Sequence, residues 1–130
     1  MRIRVLVVDD HELVRQGISE LLTAEADLEV VGEAASVAEA LTRAAQVEAD
    51  VAVLDVRMPD GNGIELCRKL RARLPRLRCL VLTADAASRA DAITAGASGF
   101  VLKEVLGMTL VDAVRTIGTG GSFFRDLDRA

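Results

Sequence analysis

The residues of this sequence best suited to chemistry are few: the acid pair Asp9-Asp10, the acid Asp55, the hydroxyl of Thr83 and the amine of Lys103. Each follows directly on a mostly apolar stretch, at residues 3–8, 51–54, 79–82 and 98–102. Singly, each has an ordinary explanation. An acid pair suits a helix N-terminus, Thr is a common strand residue, and a lysine often closes a strand in solvent. Jointly they suggest a shared site. Carboxylates gathered within a few ångströms repel by about 4 kcal/mol per pair at 4 Å and an effective dielectric of about 20, so something positive must offset them. A hard divalent cation with oxygen ligands fits, and Mg²⁺ held by one or two carboxylates, waters and a phosphate fits best. Lys103 adds a compact charge for a phosphoryl oxygen, and Thr83 a small donor. Lys69 and Lys103 are the only lysines among sixteen basic residues, so lysine at 103 is a specific choice in a chain that otherwise uses arginine.

Positioning such a set requires strands that end together. The run at 3–8, apolar but for Arg4, and the continuous run at 51–54 have the pattern of strands buried on both faces. Leu28–Val31 reads as a short strand closed by Gly32, and strands at 79–82 and 98–102 complete five. Helices are expected between them. The first has the stripe Val14, Gly17, Ile18, Leu21 and Leu22; the second opens on the capping box Ser36-Val-Ala-Glu39, with Val37, Leu41 and Ala44 inward. A third follows Asn62-Gly-Ile-Glu65, with Ile64, Cys67, Leu70 and Leu74 on one face, and stops at Pro75. The fourth runs from about Ser88 to Ala95 and stops at Gly96, a natural C′ position. The last spans about Met108 to Ile117, with Leu110, Val111, Val114 and Ile117 available for burial. Strict alternation of buried strands and helices predicts an α/β, doubly wound five-stranded parallel sheet of order 2-1-3-4-5, with helices on both faces. Strands one and three are neighbours in that order, so Asp9, Asp10 and Asp55 converge in the crevice beyond the strand ends.

Composition narrows the function. One domain of 130 residues with 51% hydrophobic content buries a substantial core and is not disordered. No apolar run is long enough to cross a bilayer and no leader is evident, so a cytoplasmic protein without a membrane partner is expected. A net charge of −4 and few aromatics argue against direct grip on nucleic acid. Cys67 and Cys79 lack metal spacing and fall in apolar patterns, so both are expected to be buried free thiols.

The segments Val8-Asp9-Asp10-His11-Glu12, Val53-Leu54-Asp55-Val56-Arg57-Met58-Pro59-Asp60-Gly61, Leu82-Thr83-Ala84 and Ala95-Gly-Ala-Ser-Gly-Phe-Val-Leu-Lys103 resemble the receiver domain of two-component response regulators. They look most like the NarL/FixJ (LuxR-type) group, whose members carry a DNA-binding helix-turn-helix after the receiver. The resemblance implies a flavodoxin-like receiver fold, and a phosphorylation switch rather than an enzyme acting on other molecules. Asp55 is then the phosphoacceptor for a sensor histidine kinase. Mg²⁺ is held by Asp10, Asp55 and the backbone carbonyl of Arg57, with Asp9 acting through water. Lys103 pairs with the phosphoryl oxygens, Thr83 moves onto them, and Phe100 swings inward behind it. His11 lacks a partner at metal spacing and reads as a rim residue.

Residues 1–120 would form the receiver and 121–130 the start of a linker, with DNA reached only through an output domain absent from this chain. Thr83 and Lys103 are closer in sequence than in most of the family, which predicts a short fourth helix or a short loop before it. A phosphorylation-dependent homodimer is expected. One candidate surface is the fourth helix, fifth strand and fifth helix. Another pairs the first and last helices, where Leu110, Val111 and Val114 offer apolar side chains to spare. The alternatives are a small Mg²⁺-dependent phosphohydrolase and a dimerisation module that is never phosphorylated. A hydrolase of that kind carries its second acid two positions after the nucleophile, where this chain has His11. A nucleotide-binding module would need a glycine-rich loop in place of Asp9–Glu12.

Overall fold

The computed structural model describes residues 2–103 and 107–124, so residues 125–130 of the expected linker lie outside it. Every apolar run is a strand of one parallel sheet. In chain order these are β1 (Ile3–Val8), β2 (Leu28–Ala34), β3 (Val51–Asp55), β6 (Arg78–Thr83) and β7 (Gly99–Leu102), arranged β2-β1-β3-β6-β7. Counting only the sheet's own strands, this is the order 2-1-3-4-5 expected from the sequence. Between β3 and β6 the loop after Asp55 adds a two-stranded antiparallel ribbon, β4 (Arg57–Met58) and β5 (Gly61–Asn62).

Alternate residues of each strand face opposite layers. Leu6, Val8, Ala52, Leu54, Cys79, Val81, Phe100 and Leu102 pack against α2 (Val37–Gln46), α3 (Gly63–Arg73) and α4 (Arg89–Thr94). Val5, Val7, Val51, Val53, Leu80, Leu82 and Val101 pack against α1 (Glu12–Thr23) and α5 (Met108–Gly118). Two cores on one sheet explain why the strands read as unbroken apolar runs. Cys67 and Cys79 are both free and fully buried.

Local capping signals set the starts of α2 and α3. Ser36 Oγ accepts the Glu39 N–H at 3.1 Å, and Asn62 Oδ1 accepts the Glu65 N–H at 2.8 Å. α4 has only six residues and follows a 3₁₀ turn at Ala86–Ser88, which accommodates the short Thr83–Lys103 spacing.

Four expectations need correction. β2 does not stop at Gly32 but runs to Ala34, because a bulge leaves Val31 without a partner between the pairs Val5–Val30 and Leu6–Gly32. Gly17 is exposed rather than part of α1's buried stripe, which consists of Ile18 and Leu22 with Val14 and Leu21 at its margins. On α3, Leu66 joins Cys67 and Leu70 in the core, whereas Ile64 and Leu74 are only partly buried. On α5, Leu110, Val111 and Val114 are fully buried against the sheet, so they are not spare for a second copy. The exposed large apolar side chains among the described residues are instead Leu13, Ile93 and Met108.

Candidate functional site

Asp9, Asp55, Thr83 and Lys103 all stand at the carboxyl edge of the sheet, where β1 and β3 are neighbours and their crossover connections leave in opposite directions. Asp9 is fully buried and Asp55 and Thr83 nearly so, whereas Asp10 and His11 lie at the open rim. A cavity of about 340 Å³ is lined by His11, Asp55, Arg57, Thr83, Ala84, Asp85 and Lys103.

The Lys103 Nζ lies 3.3 Å from Asp9 Oδ2 and 3.2 Å from Asp55 Oδ1. One ammonium thus bridges the acids of two strands. Ligand atoms of Asp9, Asp10, His11 and Asp55 all fall within 4.8 Å of one another. His11 Nδ1 is 3.1 Å from Asp10 Oδ1 and 3.4 Å from Asp9 Oδ1, so the rim residue contacts the acid cluster more closely than its sequence context suggested. Burial, then the nearby charge of Asp9, push the Asp55 carboxyl above its ordinary range, against the pull of Lys103 and a backbone hydrogen bond from Arg57.

Asp55 Oδ2 is buried and has no hydrogen-bond partner. A bare carboxylate oxygen in that position is costly unless another group completes it. Three carboxylates share this cluster with one ammonium, which touches only Asp9 and Asp55, an excess of two negative charges when all are ionised. An orphaned oxygen, an all-oxygen acid set and an uncompensated charge of that size suit a hard divalent cation.

Several residues that sequence reasoning missed hold this arrangement in place. Arg15 donates from Nη1 to the Asp9 carbonyl at 2.8 Å and from Nε to Glu33 at 3.0 Å, tying the end of β1 to α1 and β2. Asp60 accepts the Val37 and Ala38 N–H groups at 2.8 and 3.0 Å, so the loop after Asp55 is moored to the start of α2 and the Asp60 carboxyl is held below its usual range. Thr83 Oγ1 accepts the Asp85 N–H at 3.1 Å, and Asp85 in turn caps the 3₁₀ turn by accepting the Ala87 N–H at 2.9 Å. The Asx-type signal at Asp85 was available in the sequence; the partners of Arg15 and Asp60 are too distant along the chain to leave one. Phe100 already points inward and is almost wholly buried.

A doubly wound parallel sheet with an acid pair, a third acid, a hydroxyl and a lysine at successive strand ends defines a small class of α/β domains. The family within that class is the response regulator receiver domain, whose model matches residues 5–115, and the chain belongs to it. The chain is 57% identical over 122 residues to the DNA-binding transcriptional activator DevR/DosR of Mycobacterium tuberculosis, covering 92% of this chain and 56% of that protein. It thus spans about half the length of this curated relative. A two-component response regulator of the LuxR family from Aurantimonas has a similar structure, with a TM-score of 0.91 at 33% identity over 95% of this chain and 90% of that one. So does the receiver domain of the putative response regulator NarL from Mycobacterium tuberculosis, at 0.86 and 36% over 92% and 98%.

Proposed function

We propose that the chain is a phosphorylation switch in which Asp55 accepts a phosphoryl group from the phosphohistidine of a sensor histidine kinase. The observation that carries this is Asp55 Oδ2, a buried carboxylate oxygen with no partner, on a residue whose other oxygen is held by Lys103 at 3.2 Å. In-line transfer breaks the phosphorus–nitrogen bond to the imidazole, which leaves with its electron pair, and forms a phosphorus–oxygen bond to Asp55. The step asks for charge neutralisation and positioning more than for acid–base catalysis. Asp10, Asp55 and the Arg57 carbonyl, with Asp9 acting through water, would hold Mg²⁺. The bound ion supplies charge neutralisation for the phosphoryl oxygens. Lys103, already between the two acids, pairs with a phosphoryl oxygen once one is present. Thr83 and Phe100 then couple the site to the surface around α4, β7 and α5.

Residues 1–120 act as the receiver and 121–130 begin a linker. DNA is reached through a helix-turn-helix output domain beyond this chain, and the protein works in the cytoplasm as a phosphorylation-dependent homodimer. Support comes from family membership and from a relative described as a transcriptional activator; among the described residues no helix is long and apolar enough to cross a membrane. Intact-mass measurement after incubation with a small acyl phosphate and Mg²⁺ tests the core of the proposal. One phosphoryl mass is expected, absent without the metal and absent in Asp55→Asn. Uptake by Asp55→Asn at the wild-type rate would refute the assignment.

A further inference from the structure

After α5 the chain turns back, with the Gly121 N–H donating to Thr116 O, and lies along the outer edge of the sheet. The Phe123 N–H donates to Ser98 O at 2.9 Å and Phe123 O accepts the Phe100 N–H at 2.9 Å, a parallel bridge beside β7. The two phenyl rings straddle the sheet: Phe123 packs into the core under α1 and α5, and Phe124 against the core under α2, α3 and α4. Gly99 makes the approach possible, because a Cβ there would stand 2.9 Å from Phe123 O and 2.5 Å from Ile117 Cδ1.

The outer end of this segment is held by Arg89, the first residue of α4. Its Nη2 donates to Phe124 O at 3.3 Å and its guanidinium lies 5.8 Å from the Phe124 ring centroid. Both contacts are long, and the buried Arg89 Nε has no partner, so the hold is weak. Arg89 is placed by the 3₁₀ turn before it, which is built on Asp85: Asp85 O accepts the Ser88 N–H at 3.1 Å, and the Asp85 N–H itself rests on Thr83 Oγ1. Two short routes therefore join the site to this segment, one from Thr83 through Asp85 to Arg89 and one from Phe100 directly to Phe123.

We propose that residues 122–124 are a latch on the edge of β7, set by Thr83 through the Asp85 turn and Arg89, and released when Asp55 is phosphorylated. The release step rests on the phosphoacceptor assignment above. A Thr83 hydroxyl turned toward a phosphoryl oxygen on Asp55 leaves the Asp85 N–H, the turn relaxes, and Arg89 withdraws from Phe124. The signal thereby reaches the part of the chain that leads out of the domain without crossing the sheet.

Amide hydrogen exchange tests this in the intact chain, with Phe100 and Phe123 as reporters and Leu6 and Val53 at the sheet centre as controls. Beryllofluoride with Mg²⁺, its binding followed by fluorine NMR, should speed exchange at Phe123 by tenfold or more and leave the controls unchanged. Arg89→Ala and Thr83→Val should each show raised Phe123 exchange with no mimic present. Bound mimic with unchanged Phe123 protection overturns the release step, and wild-type protection in both variants overturns the latch. Equal acceleration at reporters and controls also counts against it, since that is global loosening. If no mimic binds at all, the phosphoacceptor assignment fails and takes the release step with it, while the two variants still decide whether Thr83 and Arg89 set the latch.

Discussion

Asp55 is under conflicting demands: burial and Asp9 disfavour its charge, whereas Lys103 favours it. Its folded-state pKa lies above the ordinary 3.8, so any stability it contributes is present below that value and lost as pH rises through the raised one. Asp55→Asn is therefore expected to raise the melting temperature of the metal-free protein at neutral pH. The gain should shrink on acidification and vanish below about pH 3.8, where both side chains are neutral. A melting temperature lowered at pH 7 would mean that the Lys103 pair outweighs burial and repulsion. Lys103→Arg keeps the charge but replaces a compact ammonium by a planar fork that does not fit between two acids 3.2 and 3.3 Å away. Phosphoryl uptake should slow by about tenfold or more, read by time-resolved intact mass. The acid set and Lys103 were legible in the sequence because each ends an apolar run. Arg15 and Asp60 were not, because their partners Glu33 and Val37 lie 18 and 23 residues away.

At the level of elements, α3 begins against the backbone of Asp55 itself. A Cβ on Gly63 would sit 2.1 Å from the Asp55 carbonyl oxygen, so Gly63→Ala must push either the helix or the end of β3. A loss of about 1–3 kcal/mol in urea unfolding is expected, together with slower phosphoryl uptake, because the displaced atom belongs to Asp55, the proposed phosphoacceptor. Wild-type stability in Gly63→Ala would show that the helix start shifts freely. Capping boxes and Pro75 made the starts of α2 and α3 and the end of α3 readable in advance, since those signals are local. The β2 bulge was not readable, because register is a property of two strands and Gly32 looks like a stop when seen alone. The role of α5 was misjudged for a related reason: an apolar stripe gives the width of a buried face but not its partner, and here the sheet takes all of it.

For the whole molecule, output depends on a difference in binding between two conformations. A coupling of about 1–3 kcal/mol shifts a monomer–dimer equilibrium roughly 5–150-fold. With Leu110, Val111 and Val114 committed to the core, Ile93 on α4 and Met108 at the start of α5 are, among the described residues, the large apolar side chains left exposed on the expected face. Sedimentation of Ile93→Glu loaded with an acyl-phosphate mimic should show association weakened by about tenfold against the wild type. Unchanged association would direct attention to Leu13 on α1, the most exposed of the three. The sheet order was readable from the sequence because buried strands alternating with helices admit few connections.

The two edges of the sheet are protected differently. β2 ends the sheet with a bulge and carries Glu29 and Glu33, features that discourage pairing with a stranger. β7 is Gly-Phe-Val-Leu, without a charge or a bulge, and what covers its backbone is the chain's own Ser122–Phe124. A chain cut after Gly121 would expose a row of unpaired donors and acceptors on an apolar strand, and light scattering should reveal aggregates that the longer chain does not form.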